Sequence, residues 1–273
     1  MPRAIWSGPI SFGLVNIPIQ LFPATKSKSV AFRMLHAEDN TPVNLVKTCP
    51  KDNKALSREE IVKGYEFEKG RFVIMDDKDF DAARARVKKG RAIEIIKFVD
   101  IGDVDPIYFQ KSYYLAPVES SVKPYRLLAQ AMQNQNKAAL VRFVLREKQH
   151  PALLHQKDGV FVLETLFYHD EVRATAGLPS VDEKVEMSKE ELDLAEGLIS
   201  RMSGKFDPVS QKDEYREALL EIINRKIEGK EITVPELEPL APVIDIMSAL
   251  RESIARQEGG EAAPRKKRRK RAS

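Results

Sequence analysis

The chain has 273 residues, 42% apolar and 32% charged, enough apolar material for a real core beneath a large polar surface. No apolar run reaches ten residues, which excludes a membrane-spanning helix, and the single cysteine, Cys49, excludes a disulfide framework and a cysteine-based zinc site. The net charge of +4 hides a split: Arg265 to Arg271 are seven consecutive bases, so the remainder stands at −3 and attracts polyanions only through local patches.

In chain order, the first element is a short β segment ending in Trp6, followed by a Ser7-Gly8-Pro9 turn and an alternating apolar strand over Leu14–Phe22. Pro9 and Pro18 bound the strands, and there is no charged-then-apolar leader. Further strands are predicted at Val30–Leu35, Arg71–Met75, Ile93–Val99, Ser112–Leu115, Ala138–Leu145 and Val160–Phe167. Their β-branched and aromatic content, punctuated by Gly, Pro and Asp, favours an antiparallel sheet or barrel. Two helices interrupt it. Asp79–Lys89 is short and basic at its end, and Pro124–Asn134 carries Leu127, Leu128 and Ala131 on one face.

After Gly177-Leu178-Pro179 the apolar period changes from two to about 3.6. Ser188 and Glu191 form a capping box opening a helix with Leu192, Ala195, Leu198, Ile199 and Met202 in one stripe. A second helix starts near Asp213, carries Tyr215, Leu219, Ile222, Ile223 and Ile227, and stops at Gly229. Thr233–Pro242, rich in proline, reads as a linker. A third helix over Val243–Gln257 places Val243, Ile246, Met247, Leu250 and Ile254 on one face. Gly259–Ser273 is low-complexity and basic, a composition that predicts disorder. No internal repeat is evident. The fold class is mixed and mainly β: a barrel domain over 1–180, a helical arm over 181–232, a linker and helix over 233–257, and a basic tail over 258–273.

Catalytic chemistry finds little support. The histidines, His36, His150, His155 and His169, do not fall at ligand spacing, and Cys49 has no partner. No phosphate loop is present. Lys157-Asp158-Gly159 lacks the intervening residue of a nucleotidyl-transferase Lys-x-Asp-Gly signature and reads as a tight turn between strands. His169-Asp170-Glu171 can be drawn as a metal or acid/base cluster, or as a polar loop after a strand. No cofactor or metal is implied.

Binding is better supported. Between Lys26 and Arg71 lie ten bases: Lys26, Lys28, Arg33, Lys47, Lys51, Lys54, Arg58, Lys63, Lys69 and Arg71. With seven acids in the same span the net charge is +3. Such a mixture also describes an ordinary solvated hairpin surface. Its length separates the readings: this broken stretch with little apolar content is too long for a plain connection, and insertions of that size usually carry function or are disordered. Folded out and back, each limb of about 20 residues reaches roughly 60 Å at ~3.3 Å per residue, enough to pass round a duplex. Contacts from Lys and Arg to phosphate would be sequence-independent.

The opening Ala4-Ile5-Trp6-Ser7-Gly8-Pro9-Ile10-Ser11-Phe12-Gly13-Leu14-Val15-Asn16-Ile17-Pro18 resembles the start of bacterial Ku proteins, the homodimeric DNA-end-binding factors of non-homologous end joining. Lys63-Gly64-Tyr65-Glu66-Phe67-Glu68-Lys69-Gly70-Arg71-Phe72-Val73, Ile93–Asp100, Asp105–Phe109 and Tyr113–Pro117 continue the likeness. Leu163–Leu166 and Asp213–Arg216 extend it in the same order, covering roughly residues 3 to 257. The resemblance implies a β-barrel core whose long insertion, about 26–71, bridges DNA, and a non-catalytic homodimer whose two bridges close a ring. It further implies that the ten bases line the ring. The helical arm, through Leu192, Leu198, Ile199, Tyr215, Leu219, Ile222 and Ile223, would embrace the partner subunit.

The segment carrying Val243, Ile246, Met247, Leu250 and Ile254 would correspond to the family's region for recruiting an ATP-dependent DNA ligase, or would pack on its own domain. The tail bases Arg265, Lys266, Lys267, Arg268, Arg269, Lys270 and Arg271 read as an auxiliary DNA contact, a generic nucleic-acid tail or an import signal. A barrel beginning near residue 4 leaves no room for the α/β domain of eukaryotic relatives, and the expected setting is the bacterial cytoplasm, on the nucleoid. Two other classes stay open: a general architectural protein bound through its tail, and a metal-dependent nuclease using His169, Asp170 and Glu171.

Overall fold

The computed structural model describes residues 3–86, 92–145, 148–179, 183, 185–230 and 246–258. Strands β1 (Trp6–Phe12) and β2 (Val15–Pro23) form an antiparallel hairpin that pairs Trp6 with Leu21 and Phe12 with Val15. The chain reverses at Gly13–Leu14, where Gly13 takes φ 59, a left-handed value that glycine adopts without a Cβ penalty. This corrects the expected turn at Ser7-Gly8-Pro9. Those residues continue β1, and Pro9 faces Pro18 across the pair, so two residues without an N–H share one rung.

The barrel is completed by β5 (Ile93–Val99), β6 (Phe109–Pro117), β7 (Ala138–Leu145), β8 (Lys148–Lys157) and β9 (Val160–Leu166). The order round it is β1-β2-β6-β9-β8-β7-β5, closed by a short parallel contact at Ile10–Ile93 and Ser11–Glu94. Closure leaves no free sheet edge. Alternation decides which residues turn inward: Ile17, Ile19 and Leu21 of β2 and Ala139, Val141 and Phe143 of β7 are all buried. Trp6 packs edge-on against Phe143, ring centroids 6.2 Å apart. The β8–β9 turn is Asp158-Gly159, both at positive φ, the two-residue geometry that matches strand twist.

Helix α2 (Val122–Asn134) drives Tyr125, Leu128, Ala129 and Met132 into the same core. Its start is tied down by Ser121, whose hydroxyl donates to the Pro18 carbonyl at 2.5 Å. Between β2 and β5 the chain leaves the barrel. The strand expected at Val30–Leu35 is not formed; Leu35 makes only an isolated bridge to Pro42. The hairpin of β3 (Lys63–Glu68) and β4 (Arg71–Met75) follows, then α1 (Asp77–Arg86), which begins two residues earlier than expected. The expected end of α1 at Lys89 lies outside the described residues.

The chain divides into two compact units, Met1–Thr175 and Ala176–Ser273. The second contains α3 (Lys189–Met202), α4 (Glu214–Ile227) and α5 (Ile246–Glu258). The capping box is present: the Glu191 N–H donates to Ser188 Oγ at 3.2 Å and the Ser188 N–H to Glu191 Oε2 at 2.7 Å. Gly229 follows α4 at φ 70, as a C-terminal stop requires.

Candidate nucleic-acid interface

The insertion is built from two copies of one turn. At the first, the Asn40 N–H donates to the His36 carbonyl at 2.9 Å and the His36 N–H to the Thr41 carbonyl at 2.8 Å. At the second, the Asn53 N–H donates to the Cys49 carbonyl at 2.8 Å and the Cys49 N–H to the Lys54 carbonyl at 2.9 Å. Asn40 and Asn53 hold φ 59 and 54, and the preceding aspartate in each case accepts from the N–H two residues on, Asp39 from Thr41 and Asp52 from Lys54. Asparagine tolerates this left-handed region better than most residues, and the aspartate supplies the local acceptor. An isolated bridge flanks each turn, Leu35–Pro42 and Thr48–Ala55. The signal that locates them is the repeated Asp-Asn at 39–40 and 52–53, a local repeat missed at the level of the sequence.

All ten bases between Lys26 and Arg71 are exposed. Lys54 pairs with Glu60 at 2.7 Å and Arg71 with Glu68 at 2.6 Å, which partly neutralises both. The Lys54 ammonium and then the Ser57 N–H hold the Glu60 carboxyl below the usual carboxylate range. Lys63 lies over the Phe80 ring at 4.4 Å, and Arg71 over Phe67 at 4.9 Å. Lys26, Lys28, Arg33, Lys47, Lys51, Arg58 and Lys69 make no ion pair among the described residues, and their charge faces solvent. Bases held open in this way on an extended scaffold suit a phosphate backbone.

One expectation needs correction: the insertion is not poor in apolar residues. Phe32, Met34, Leu35, Val43, Leu45, Val46, Val62, Tyr65 and Phe67 are all exposed, Leu45 at 84%.

The remaining sequence-level candidates separate. Among the dimerisation residues, Leu192, Ile199, Tyr215 and Ile222 are exposed, Tyr215 at 78%, while Leu198, Leu219 and Ile223 are half-buried. Helix α5 lies against α3; Met247, Leu250 and Ile254 are half-buried and Ile246 is exposed. Val243 and the tail bases Arg265–Arg271 lie outside the described residues. His169, Asp170 and Glu171 form a 3-10 turn, with Glu171 engaged by Lys148 at 2.5 Å and by the Tyr168 N–H at 2.9 Å. No group of three or more His, Cys, Asp or Glu side chains suited to a metal occurs among the described residues. Ser112 donates to Glu164 at 2.7 Å and His155 sits 3.7 Å from the other carboxylate oxygen. The carboxylate stands between the two, so the serine hydroxyl is bonded to Glu164 and not to the His155 imidazole.

The class so defined is a closed β-barrel carrying a long, basic, outward-standing insertion and a separate helical unit. The family model for the Ku70/Ku80 beta-barrel domain matches residues 11–194. The chain is 41% identical over 256 residues to the non-homologous end joining protein Ku of Bacillus subtilis (strain 168), covering 93% of this chain and 82% of that one. It is 43% identical over 263 residues to the protein of the same name from Symbiobacterium thermophilum, covering 96% of this chain and 65% of that one. With the Archaeoglobus fulgidus protein it shares 39% over 253 residues, 92% of this chain and 99% of that one. The chain belongs to the Ku family.

Proposed function

We propose that this chain binds double-stranded DNA ends without sequence specificity, as a homodimer whose two insertions close a ring, and acts in non-homologous end joining. The observation that carries this reading is the insertion itself, basic and exposed along its length, in a chain whose relatives are named for end joining. Bases that meet phosphate rather than base edges give affinity without sequence choice, and a closed ring selects ends by topology. The exposed apolar residues of the insertion and of α4 support a second copy as the element that covers them. Recruitment of an ATP-dependent DNA ligase through the α5 region completes the reading. Ile246 is its exposed residue there, because Met247, Leu250 and Ile254 are half-buried. In this role the protein holds and presents ends in the bacterial cytoplasm and makes no bond itself.

The test compares linear with closed circular duplex of the same sequence at moderate salt, using the chain truncated at Gly260 so that the tail cannot bind by itself. Retention on linear DNA and release from circles is expected. Equal affinity for the two would remove end-threading, and loss of all binding on truncation would favour the tail-bound architectural protein.

A further inference from the structure

Where the insertion leaves the barrel, the surface forms a half-open cavity of about 610 Å³. Thr25 and Ser27 come from the first residues of the insertion, Lys111 and Tyr113 from β6, and Lys148 and His150 from β8. The register brings these together: Pro23 pairs with Tyr113, and Ala24 donates to the Ser112 carbonyl at 3.1 Å. Two ammonium groups, an imidazole and the hydroxyls of Thr25, Ser27, Ser112, Tyr113 and Thr165 therefore line one space.

Among the described residues, cationic groups outnumber carboxylates around it. The carboxylate bound to this set among those residues is Glu171, on Lys148 at 2.5 Å, and the Tyr168 N–H holds it in place. Lys111 has no carboxylate partner among the described residues. His150 is half-buried with its ring tilted against Phe143 at 5.9 Å. Burial first, then the charges of Lys148 and Lys111, outweigh the pull of Glu171 and hold the imidazole below the usual histidine range. The volume falls within the roughly 300–1,000 Å³ of ordinary ligand pockets and exceeds what a bare phosphate fills. Several donors spread round one space, with an aromatic ring beside them, match the oxygens of a phosphate carried on a sugar and base.

We propose that this cavity is a nucleotide-phosphate site, with Lys111, Lys148 and His150 as its charged donors and Thr25 and Ser27 as hydroxyl donors. Lys26 and Lys28 flank those hydroxyls in sequence, so the site continues the basic insertion onto the barrel wall. It stands on the cavity rather than on the ring, and its phosphate has two sources, a DNA strand or a free nucleotide.

The test is histidine-selective NMR on the full chain, with the His150 signal assigned through His150→Gln. The probes are inorganic phosphate, deoxyadenosine monophosphate and a short linear duplex, each against chloride at matched ionic strength. An anion at the site raises the His150 titration midpoint by about one pH unit. Lys111→Gln and Lys148→Gln should each weaken the mononucleotide about tenfold, and Lys111→Arg should retain it. Competition between duplex and mononucleotide assigns the site to a DNA strand; a response to the mononucleotide that duplex does not displace assigns it to free nucleotide. A His150 signal unmoved by all three probes at millimolar concentration, matched by chloride, or indifferent to both lysine variants overturns the proposal. Linear duplex bound with His150 silent overturns this site and leaves the ring reading standing; a mononucleotide response without end binding does the reverse.

Discussion

Tyr125 places one hydroxyl between two strands, donating to the Leu115 carbonyl at 2.6 Å and accepting from the Phe161 N–H at 2.7 Å. Tyr125→Phe keeps the ring on Phe161 but strands a buried N–H and a buried carbonyl. The barrel should lose about 1–3 kcal/mol, read by urea unfolding through Trp6, the only tryptophan. Burial raises the Tyr125 pKa above the ordinary 10.0 despite the Phe161 N–H. The neutral phenol is therefore a native-state preference, fully present below that ordinary value and lost as pH rises through the folded one. The gap between wild type and Tyr125→Phe should narrow above pH 10.0; a constant gap would deny the burial argument. At Asn53 the issue is backbone shape. A β-branched residue at φ 54 costs roughly 1–2 kcal/mol. Cys49 is half-buried, closes the same turn and is the only thiol, so its labelling rate reports the turn directly. Asn53→Val should speed labelling about tenfold and Asn53→Gly should leave it unchanged.

At the scale of elements, legibility follows how locally each one is specified. β2 was readable because Ile17, Ile19 and Leu21 alternate without interruption, and α3 because its capping box lies within four residues. Ser188→Ala removes that cap and should cost α3 about 0.5–2 kcal/mol, visible as faster amide exchange over its first turns. The Ser188 N–H holds the Glu191 carboxyl below its ordinary range, so this half of the cap is present above that range and fades as pH falls through the folded value. β1 and β8 were harder. Ser7-Gly8-Pro9 has turn chemistry, yet closure of the barrel carries it through as strand, and His150-Pro151 interrupts the apolar pattern of a strand paired on both sides. Tertiary pairing overrode local preference in both. The site was legible as a basic span and illegible as a shape. The twin Asp-Asn turns depend on side-chain acceptors, and the cavity with Lys111, Lys148 and His150 joins residues that no local pattern links.

For the molecule as a whole, charge and exposed apolar surface point the same way. Outside the tail the chain stands at −3 even though the insertion within it stands at +3, which concentrates its attraction for phosphate in one segment, and the seven tail bases add a second. Deleting Arg265–Arg271 should therefore flatten the salt dependence of DNA binding by at most about six log units per log unit of salt, while the preference for ends survives. In the function proposed above that preference comes from a closed ring, of which one insertion would supply only part. The apolar residues on the insertion and on α4 stand exposed in the single chain, Phe32 at 70% and Tyr215 at 78%. Surface of that kind favours association when a matching surface is available. Sedimentation at micromolar concentration should show a dimer. Tyr215→Glu with Ile222→Glu places two charges on the exposed face of α4 without touching the barrel core, so Trp6-reported unfolding should stay as in wild type while the dimer falls apart. A monomer that still prefers linear DNA would separate end recognition from the ring. A dimer that survives both substitutions would move the contact from α4 to the insertion, where Phe32→Glu is the corresponding variant.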